Sequence, residues 1–445
     1  MGLSRRERLV CDAIARRRDE LVDLASSLVR FDTTARNPGD APRQEAELQS
    51  YLADRLRAAG GSVEVWEPQP EETEGRPLVP TGLGFEGRPQ LVARFSGAGN
   101  GRTLLLNGHI DAVSAEPVDR WTCDPFEPEV REGRLYGRGS CDMKGGVAAI
   151  VFAVEALASL GVELDGDVIV ATNTDEESSG AGSSAIVAHG IEADAGIVTE
   201  PTGFDVWVSC RGSEYGNVVV PGRPGHAEMF HPHWREGGAV NAIEKGTVAV
   251  DAIRSLRAEW ASRNGLDHPY LSRPTLLPTI ARGGEWAVTY PASYELTFAV
   301  LYLPEQADER GWGSAVRREV EQWVLRETAA DDWLAENPPT VSWWPNGVMP
   351  LEIPRDEPVV ELMLAVTDDI GFPGRLAGLD SWYDGAAFTL LAGIPSIAYG
   401  PGGLKAGDVS IAHTIDEYVS VEDLVACAQG LAVAMLRFCG DSTIA

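Results

Sequence analysis

Short apolar runs, each followed by polar or glycine-rich residues, recur along most of this 445-residue chain. The stretches "TLLLNGH", "GDVIVATN" and "DAGIVTE" each contain a run of the length that is typical of a buried strand. Between Gln90 and about Val208 such runs alternate with segments of helical periodicity. This alternation predicts an α/β fold with a largely buried, mostly parallel sheet.

The residues before Gln90 have a different pattern. The stretch "RQEAELQSYLADRLRAAGG" has helical apolar spacing and ends in two glycines, which predicts a helix and its end. The stretch "SVEVWEP" alternates apolar and polar side chains and predicts a strand. Residues 67–90 are rich in proline, glutamate and glycine, so we expect an exposed loop there.

The α/β pattern is interrupted by a block that begins near residue 213. A long helical segment, the strand-like "WAVTYPASYELTFAVLYLP" and the helical "SAVRREVEQWVLRETAADDWL" follow one another in it. The α/β pattern then resumes with the strand-like "IPSIAYG" and ends with a capped helix in "SVEDLVACAQGLAVAMLRFC". We therefore predict a discontinuous domain of residues 1–212 and 346–445 with an α+β domain, residues 213–345, inserted into it.

The net charge of the chain argues against partners that carry phosphate groups. It has 37 basic and 67 acidic residues, a net charge of -30. Phosphate groups would be repelled by this excess of carboxylates. We therefore expect no nucleic-acid partner and no anionic membrane partner.

Cysteine usage and apolar run length predict a cytoplasmic protein. Six cysteines are scattered over the chain without a CxxC pair, which favours a reducing compartment over a disulfide scaffold. The N-terminal residues predict a charged amphipathic helix and not a signal peptide. The longest apolar run, Val147 to Val154, is far too short to span a bilayer.

Side chains capable of metal binding follow several of the predicted strands. His109 and Asp111 come directly after "TLLLNG", and Glu200 comes after "DAGIVT". In open α/β sheets, ligands bind beyond the carboxyl ends of the strands. Asp175, Glu176 and Glu177 follow "GDVIVATNT", Asp142 lies in a glycine-rich turn before a helix, and His413 follows the glycine-rich "GPGGLKAG".

Each of these residues has a structural alternative when it is considered alone. Asp142 could cap a helix, Glu176 and Glu177 could stabilise a helix N-terminus, and His413 could lie in a surface loop. Together, however, four or more converging carboxylates would repel one another unless a cation neutralised them. Nitrogen and oxygen ligands without a thiolate pair suit zinc, cobalt or manganese. The sequence therefore predicts a divalent metal site with enough ligands for two ions that share a bridging carboxylate.

Six motifs, in order along the chain, resemble those of one enzyme family. They are "NGHIDAV", "GRGSCDMKGG", "TDEESSGAGS", "TEPT", "GRPGHAE" and "AHTIDEY". The chain resembles the dinuclear zinc amidohydrolases: acetylornithine deacetylase, succinyl-diaminopimelate desuccinylase, aminoacylase and carboxypeptidase G. The resemblance covers nearly the whole chain. It implies a zinc-exopeptidase-like catalytic domain and an inserted lid that commonly mediates homodimers.

The resemblance also implies a ligand set for two divalent metal ions, most simply zinc. His109 and Glu200 would bind one ion. Glu177 and His413 would bind the other, and Asp142 would bridge both.

Three further residues acquire catalytic roles from the resemblance. Asp111 would orient the imidazole of His109. Glu176 would be the general base that takes a proton from a metal-activated water, so that hydroxide attacks an amide carbonyl. His226, in the lid, would help to stabilise the oxyanion in the partner subunit's active site. The nearby "HPHW" is interpreted as a non-catalytic loop.

Two positions depart from the family pattern. Many relatives bind a substrate carboxylate with an asparagine and an arginine of the lid, but the corresponding positions here are Val288 and Leu301. Leucine cannot form a bidentate pair with a carboxylate. We therefore predict a small N-acyl substrate with an acetyl, formyl or similar group. The absence of the arginine leaves a substrate without an α-carboxylate open. A dipeptidase or exopeptidase is the first alternative, and a non-catalytic metal-binding scaffold is the second.

Overall fold

A computed structural model describes residues 2–35, 40–345, 347–403 and 410–440 of the chain. The helices are α1 (Arg5–Arg16), α2 (Arg18–Val29), α3 (Glu45–Ala58), α4 (Pro70–Thr73), α5 (Lys144–Ser159), α6 (Ala181–Ala188), α7 (Ala242–Ser262), α8 (Ser314–Thr328), α9 (Asp332–Glu336), α10 (Pro358–Asp369), α11 (Gly385–Ala392) and α12 (Val421–Cys439). The strands are β1 (Ser62–Trp66), β2 (Gln90–Phe95), β3 (Leu104–His109), β4 (Glu129–Arg131), β5 (Arg134–Tyr136), β6 (Val168–Asn173), β7 (Ala195–Val198), β8 (Val206–Cys210), β9 (Gly212–Pro221), β10 (Thr275–Gly283), β11 (Ser293–Tyr302), β12 (Thr340–Trp343), β13 (Leu351–Glu352), β14 (Leu376–Leu379), β15 (Ser396–Ala398) and β16 (Tyr418–Ser420).

The described chain divides into two compact units. The first comprises residues up to Ser209, Leu351–Gly378 and the residues from Tyr383 onwards. The second comprises Cys210–Pro350 and the short stretch Leu379–Trp382. The assignment of these units as a catalytic domain and a lid stays a prediction.

A mixed sheet forms the centre of the first unit. Its strands follow the order β1-β2-β6-β3-β7-β15-β8-β13, with β14 paired to β8. The central pairs β6–β3, β3–β7 and β7–β15 are parallel, whereas β1–β2, β2–β6 and β15–β8 are antiparallel. The predicted α/β class is confirmed, with a parallel centre flanked by antiparallel strands.

The parallel central strands are buried on both faces, as the apolar runs in their sequences predict. Every residue of β3, β6 and β7 is buried, as continuous runs of leucine, valine and isoleucine require. His109 at the end of β3 pairs in register with Asn173 at the end of β6. The loops that follow these strands therefore leave the sheet at the same edge.

The C-terminal helix α12 packs along the first unit and begins at the predicted cap. Ser420 accepts a hydrogen bond from the backbone N–H of Asp423 at 3.3 Å. This contact satisfies one of the otherwise unpaired N–H groups of the first turn. Most of the following helix is buried, because its apolar residues cover more than one face.

The region predicted to be an exposed loop, residues 67–90, is only partly exposed. It contains the short helix α4, and Phe85 is buried against Ala181 and Ala185 of α6. The aromatic side chain anchors this proline-rich segment, and the segment's composition alone does not reveal that contact.

The second unit is built on an antiparallel sheet with helices packed against it. The strand order is β10-β11-β9-β12, and the core is formed around Phe298, Trp260 and Tyr302. The strand-like stretch forms the continuous strand β11 only from Ser293 onwards, and before it Thr289 makes an isolated antiparallel bridge with His226. No helix among the described residues has both the length and the apolar composition needed to cross a membrane.

Candidate metal centre

The ends of three strands of the first unit, β3, β6 and β7, bring acidic and imidazole side chains to one edge of the sheet. His109 ends β3, Glu176 and Glu177 follow β6, and Glu200 follows β7. Because β6, β3 and β7 are parallel, their carboxyl ends meet there. The position of these groups thus follows directly from the apolar runs that precede them.

Asp142 lies between two histidines that come from distant parts of the chain. Its Oδ1 atom is 3.2 Å from Nε2 of His109, and its Oδ2 atom is 3.3 Å from Nε2 of His413. The two carboxylate oxygens therefore face different imidazoles. This is the arrangement that a carboxylate shared by two cations needs.

Two glutamates complete the surroundings of the histidines. The Oε1 atom of Glu177 is 3.1 Å from Nε2 of His413. The Oε1 atom of Glu200 is 3.9 Å from Nε2 of His109, and it has no hydrogen-bond partner in the described part of the structure. Ligand atoms of His109, Asp142 and Glu177 all lie within 4.8 Å of one another. The structure thus brings together all five residues that were predicted to bind metal.

The imidazole of His109 is held in one orientation. Its Nδ1 atom donates a hydrogen bond to the backbone oxygen of Asp111 at 2.9 Å, since a carbonyl can only accept. This leaves Nε2 as the ring atom that faces Asp142 and Glu200. The contact fixes the tautomer that a metal-binding histidine requires.

The carboxylate of Asp111 lies near the imidazole that it was predicted to orient, and that role stays a prediction. It lies 3.6 Å from Nδ1 of His109, so the backbone oxygen of the same residue makes the closer contact. The two carboxylate oxygens instead accept hydrogen bonds from the backbone N–H groups of Glu176 at 3.3 Å and Glu177 at 3.1 Å. Asp111 therefore supports the turn that carries both glutamates.

Glu176 lies beside the imidazoles without a close contact to either. Its Oε2 atom is 3.9 Å from Nε2 of His109, and a tenth of its side chain is exposed. Burial raises the pKa of Glu176 well above its usual value, and the neighbouring carboxylate of Glu200 raises it further. A buried carboxylate with a raised pKa can accept and return a proton near neutral pH.

Burial and repulsion between neighbouring carboxylates dominate the electrostatics of the cluster. Burial raises the pKa of Glu200 well above its usual value, and the carboxylate of Asp142 adds to that effect. Hydrogen bonds to Asp142 and Glu177 raise the pKa of His413 to about 10. Several buried carboxylates and two imidazoles thus share one small region, and a divalent cation bound there would balance the carboxylate charges. The oxygen and nitrogen atoms present fit a pair of divalent ions.

His226 lies in the second unit, on an exposed segment after β9. Its Nδ1 atom accepts a hydrogen bond from the backbone N–H of Glu228 at 3.3 Å, and its backbone oxygen accepts one from His231 at 2.9 Å. His233 caps a short 3₁₀ helix through the backbone N–H of Arg235. The catalytic role of His226 stays a prediction.

Several residues near the cluster had no role predicted from the sequence. Glu417 is fully buried and accepts hydrogen bonds from the turn that carries Asp142. Asp384 is also fully buried, and its Oδ2 atom accepts a hydrogen bond from Asn173 at 2.7 Å. Asp175 forms an ion pair with the buried Arg88 at 3.5 Å. Glu417 lies within the motif "AHTIDEY", and this was the only signal in the sequence that could have identified it.

Comparison with known proteins agrees with this arrangement. Residues 105–437 match the model of the peptidase family M20/M25/M40. The chain is 27% identical over 434 residues to the N-formyl-4-amino-5-aminomethyl-2-methylpyrimidine deformylase of Bacillus subtilis, covering 92% of each chain.

Two solved structures have the same fold. Human carnosine dipeptidase 1 superposes with a TM-score of 0.72 at 16% identity, over 99% of this chain and 100% of that one. The YXEP protein of Bacillus subtilis, described as a dinuclear metal binding peptidase, superposes with a TM-score of 0.63 at 14% identity, over 95% and 98% of the chains. The matched family model covers most of the chain, and the chain therefore belongs to the peptidase family M20/M25/M40, a family of hydrolases.

Proposed function

We propose that this protein is a metal-dependent amidohydrolase that removes a small acyl group, formyl or acetyl, from the nitrogen of a small amine. The observation that carries the proposal is the position of Asp142, whose two oxygens face His109 and His413 separately. A hydrogen-bonded histidine–carboxylate pair needs only one of the two oxygens. A two-metal hydrolase needs a carboxylate that turns one oxygen toward each metal-binding imidazole.

Two divalent ions, zinc in the first instance and cobalt or manganese as alternatives, fit the nitrogen and oxygen atoms present. His109 and Glu200 would hold one ion, and Glu177 and His413 would hold the other. Asp142 would contact both. When bound, such ions lower the pKa of a shared water and polarise an amide carbonyl.

Glu176 supplies the proton transfers of the reaction. It receives the proton of the attacking water and returns it to the departing amine nitrogen. Its carboxylate is close to His109 but makes no hydrogen bond shorter than 3.5 Å with it, which leaves it available for this role. The predicted contribution of His226 to oxyanion stabilisation stays part of the proposal.

The substrate is proposed to lack an α-carboxylate. Leu301 lies within β11, opposite Thr275 on one neighbouring strand and Ser213 on the other. None of these three residues, nor Val288, carries a positive charge that could pair with a carboxylate. The deformylase relative is named for an N-formyl aminomethylpyrimidine. We therefore propose a formylated or acetylated heteroaromatic amine as the substrate class.

The test uses matched substrates and a metal count. The purified protein is loaded with zinc or cobalt, and bound metal is measured by inductively coupled plasma mass spectrometry. Hydrolysis is then compared for N-formyl and N-acetyl amines, each with and without an α-carboxylate. We expect two metal ions per chain and faster cleavage of the neutral substrates. Faster cleavage of the carboxylate forms would contradict the proposed substrate class.

A dipeptidase activity is the second candidate, and the fold shared with carnosine dipeptidase 1 favours it. The same metal-loaded protein is assayed with dipeptides that have a free amino terminus. Cleavage of these peptides in preference to N-acyl amines would replace the first proposal. Two bound metals with no hydrolysis of either class would support the non-catalytic scaffold.

The proposed oligomer is a homodimer formed through the second unit. Strand β10 is the edge of its sheet, and its side chains Leu277 and Ile280 are about 40% exposed. An exposed edge strand with apolar side chains is a template for pairing with another chain. We expect Ile280→Asp to convert a dimer into a monomer in light scattering. Val130→Asp, at another exposed apolar strand residue but in the first unit, is the control.

A cytoplasmic location is part of the same proposal. None of the six cysteines, all of which lie in the described ranges, forms a disulfide, and five of them are buried. Thiols that form no disulfide are typical of proteins from a reducing compartment. Fractionation of the native host, with immunodetection in each fraction, tests this location.

A further inference from the structure

Glu417 is a fully buried carboxylate four residues after His413. Its Oε1 atom accepts hydrogen bonds from the backbone N–H groups of Cys141 at 2.8 Å and Asp142 at 3.0 Å. Its Oε2 atom accepts from the backbone N–H of Gly139 at 3.1 Å and from the guanidinium of Arg138 at 2.6 Å. All four contacts lie in the turn that presents Asp142.

A buried charge of this kind is costly unless it is paired and hydrogen-bonded. Burial raises the pKa of Glu417, and the guanidinium of Arg138 acts against that rise. Both side chains are almost completely buried. The pair also satisfies three backbone N–H groups of a tight, glycine-containing turn. An apolar side chain at this position would leave those three donors without an acceptor.

The backbone around Glu417 is tied to the same turn. Its carbonyl oxygen accepts a hydrogen bond from the N–H of Gly137 at 3.0 Å, and the hydroxyl of Ser140 approaches it at 3.4 Å. The next residue, Tyr418, pairs with Tyr136 in the β16–β5 ladder. The segment that carries His413 is thereby attached to the segment that carries Asp142 over residues 136–142.

We propose that Glu417, together with Arg138, is a positioning residue that sets the spacing between Asp142 and His413 at the metal centre. The inference rests on the proposed function, because that spacing has a chemical role only if Asp142 and His413 share a cation. Glu417 does not bind the metal in this proposal. It acts through the backbone of Asp142 and through the short chain segment between itself and His413.

Glu417→Gln is the informative substitution. It keeps the size of the side chain but replaces one oxygen with an NH₂ group, and both oxygens of Glu417 face hydrogen-bond donors. Glutamine must therefore place a donor against a donor whichever way it turns. Glu214→Gln is the matched control, because Glu214 is also fully buried and paired with an arginine, Arg317, but lies in the second unit.

The measurements are metal affinity, by competition with a chromophoric chelator, and the visible absorption spectrum of the cobalt-loaded protein. Thermal unfolding of the metal-free proteins is recorded in parallel. We expect both glutamine variants to unfold at lower temperature than the wild type. Only Glu417→Gln should weaken metal binding, by about 10- to 100-fold, and change the cobalt spectrum.

Arg138→Lys keeps the inference testable if Glu417→Gln does not fold. It retains the positive charge but loses the guanidinium geometry. We therefore expect it to weaken metal binding, but by a smaller factor than Glu417→Gln does. If the wild type binds two metals and both variants bind them as tightly as Glu214→Gln does, the positioning role is overturned while the proposed function stands. If the wild type itself binds no divalent metal, the proposed function fails.

Discussion

Replacing Asp111 with asparagine tests how the turn that carries Glu176 is supported. In the structure, each carboxylate oxygen of Asp111 accepts one backbone N–H, from Glu176 or from Glu177. Asparagine can accept one of these donors through its carbonyl oxygen. Its NH₂ group then faces the other donor, so one hydrogen bond to a buried charged acceptor is lost.

The structure sets the size of the expected effect. A hydrogen bond to a charged group contributes about 1.5–3 kcal/mol. At about 1.4 kcal/mol per factor of ten, the loss corresponds to a decrease in kcat of about 10- to 150-fold if it falls on the position of the Glu176 base. The backbone oxygen of Asp111, which accepts from His109, is unchanged by the substitution. We therefore expect the variant to retain two metal ions.

The assay combines kcat on an N-acyl amine, metal content and urea unfolding of the metal-free protein. Asp167→Asn is the matched control, because Asp167 also accepts a backbone N–H, from Gly97 at 2.8 Å, but lies just before β6, at the opposite end of that strand from the cluster. The control should lose stability and keep its kcat. An Asp111→Asn variant with normal kcat would refute the reasoning. Loss of one metal ion would instead indicate that the carboxylate chiefly supports His109.

Three further predictions concern Glu176, Asp142 and Asp167. Glu176→Gln should lower kcat by about 10²- to 10⁴-fold while two metals stay bound, and loss of metal would contradict its assignment as the base. Asp142→Ala should lose both metal and activity, because its oxygens face both histidines, and a variant that still bound two ions would disprove the bridging role. The Gly97 N–H and then Arg94 lower the pKa of Asp167 below its usual value. Urea unfolding should therefore show the wild type to be more stable than Asp167→Asn near neutral pH by up to about 1 kcal/mol. This difference in unfolding free energy should vanish as the pH falls through the lowered pKa of Asp167. A difference that stays constant across pH would contradict the prediction.

The sequence predicts the ligands that directly follow strands. His109 and Glu200 come after apolar runs of strand length, and such runs mark strands buried on both faces. Parallel strands place their carboxyl ends at one edge, so the convergence of these residues could be anticipated without coordinates. The role of each ligand depended on the resemblance to a known family. This holds most for His413, because the glycine-rich loop before it has no periodicity that would fix its position.

Only the tertiary structure reveals the groups that hold those ligands in place. Glutamate is usually a surface residue, yet Glu417 is buried by contact with a turn 275 residues away in the chain. Phe85 lies in a proline-rich stretch that predicts an exposed loop, yet it packs against α6. The spacing of apolar residues along the sequence predicts which face of a helix or strand is apolar, because that depends only on neighbouring residues. The burial of a single polar or aromatic side chain outside such a pattern depends on which distant segments pack against it, and that is decided by the fold as a whole.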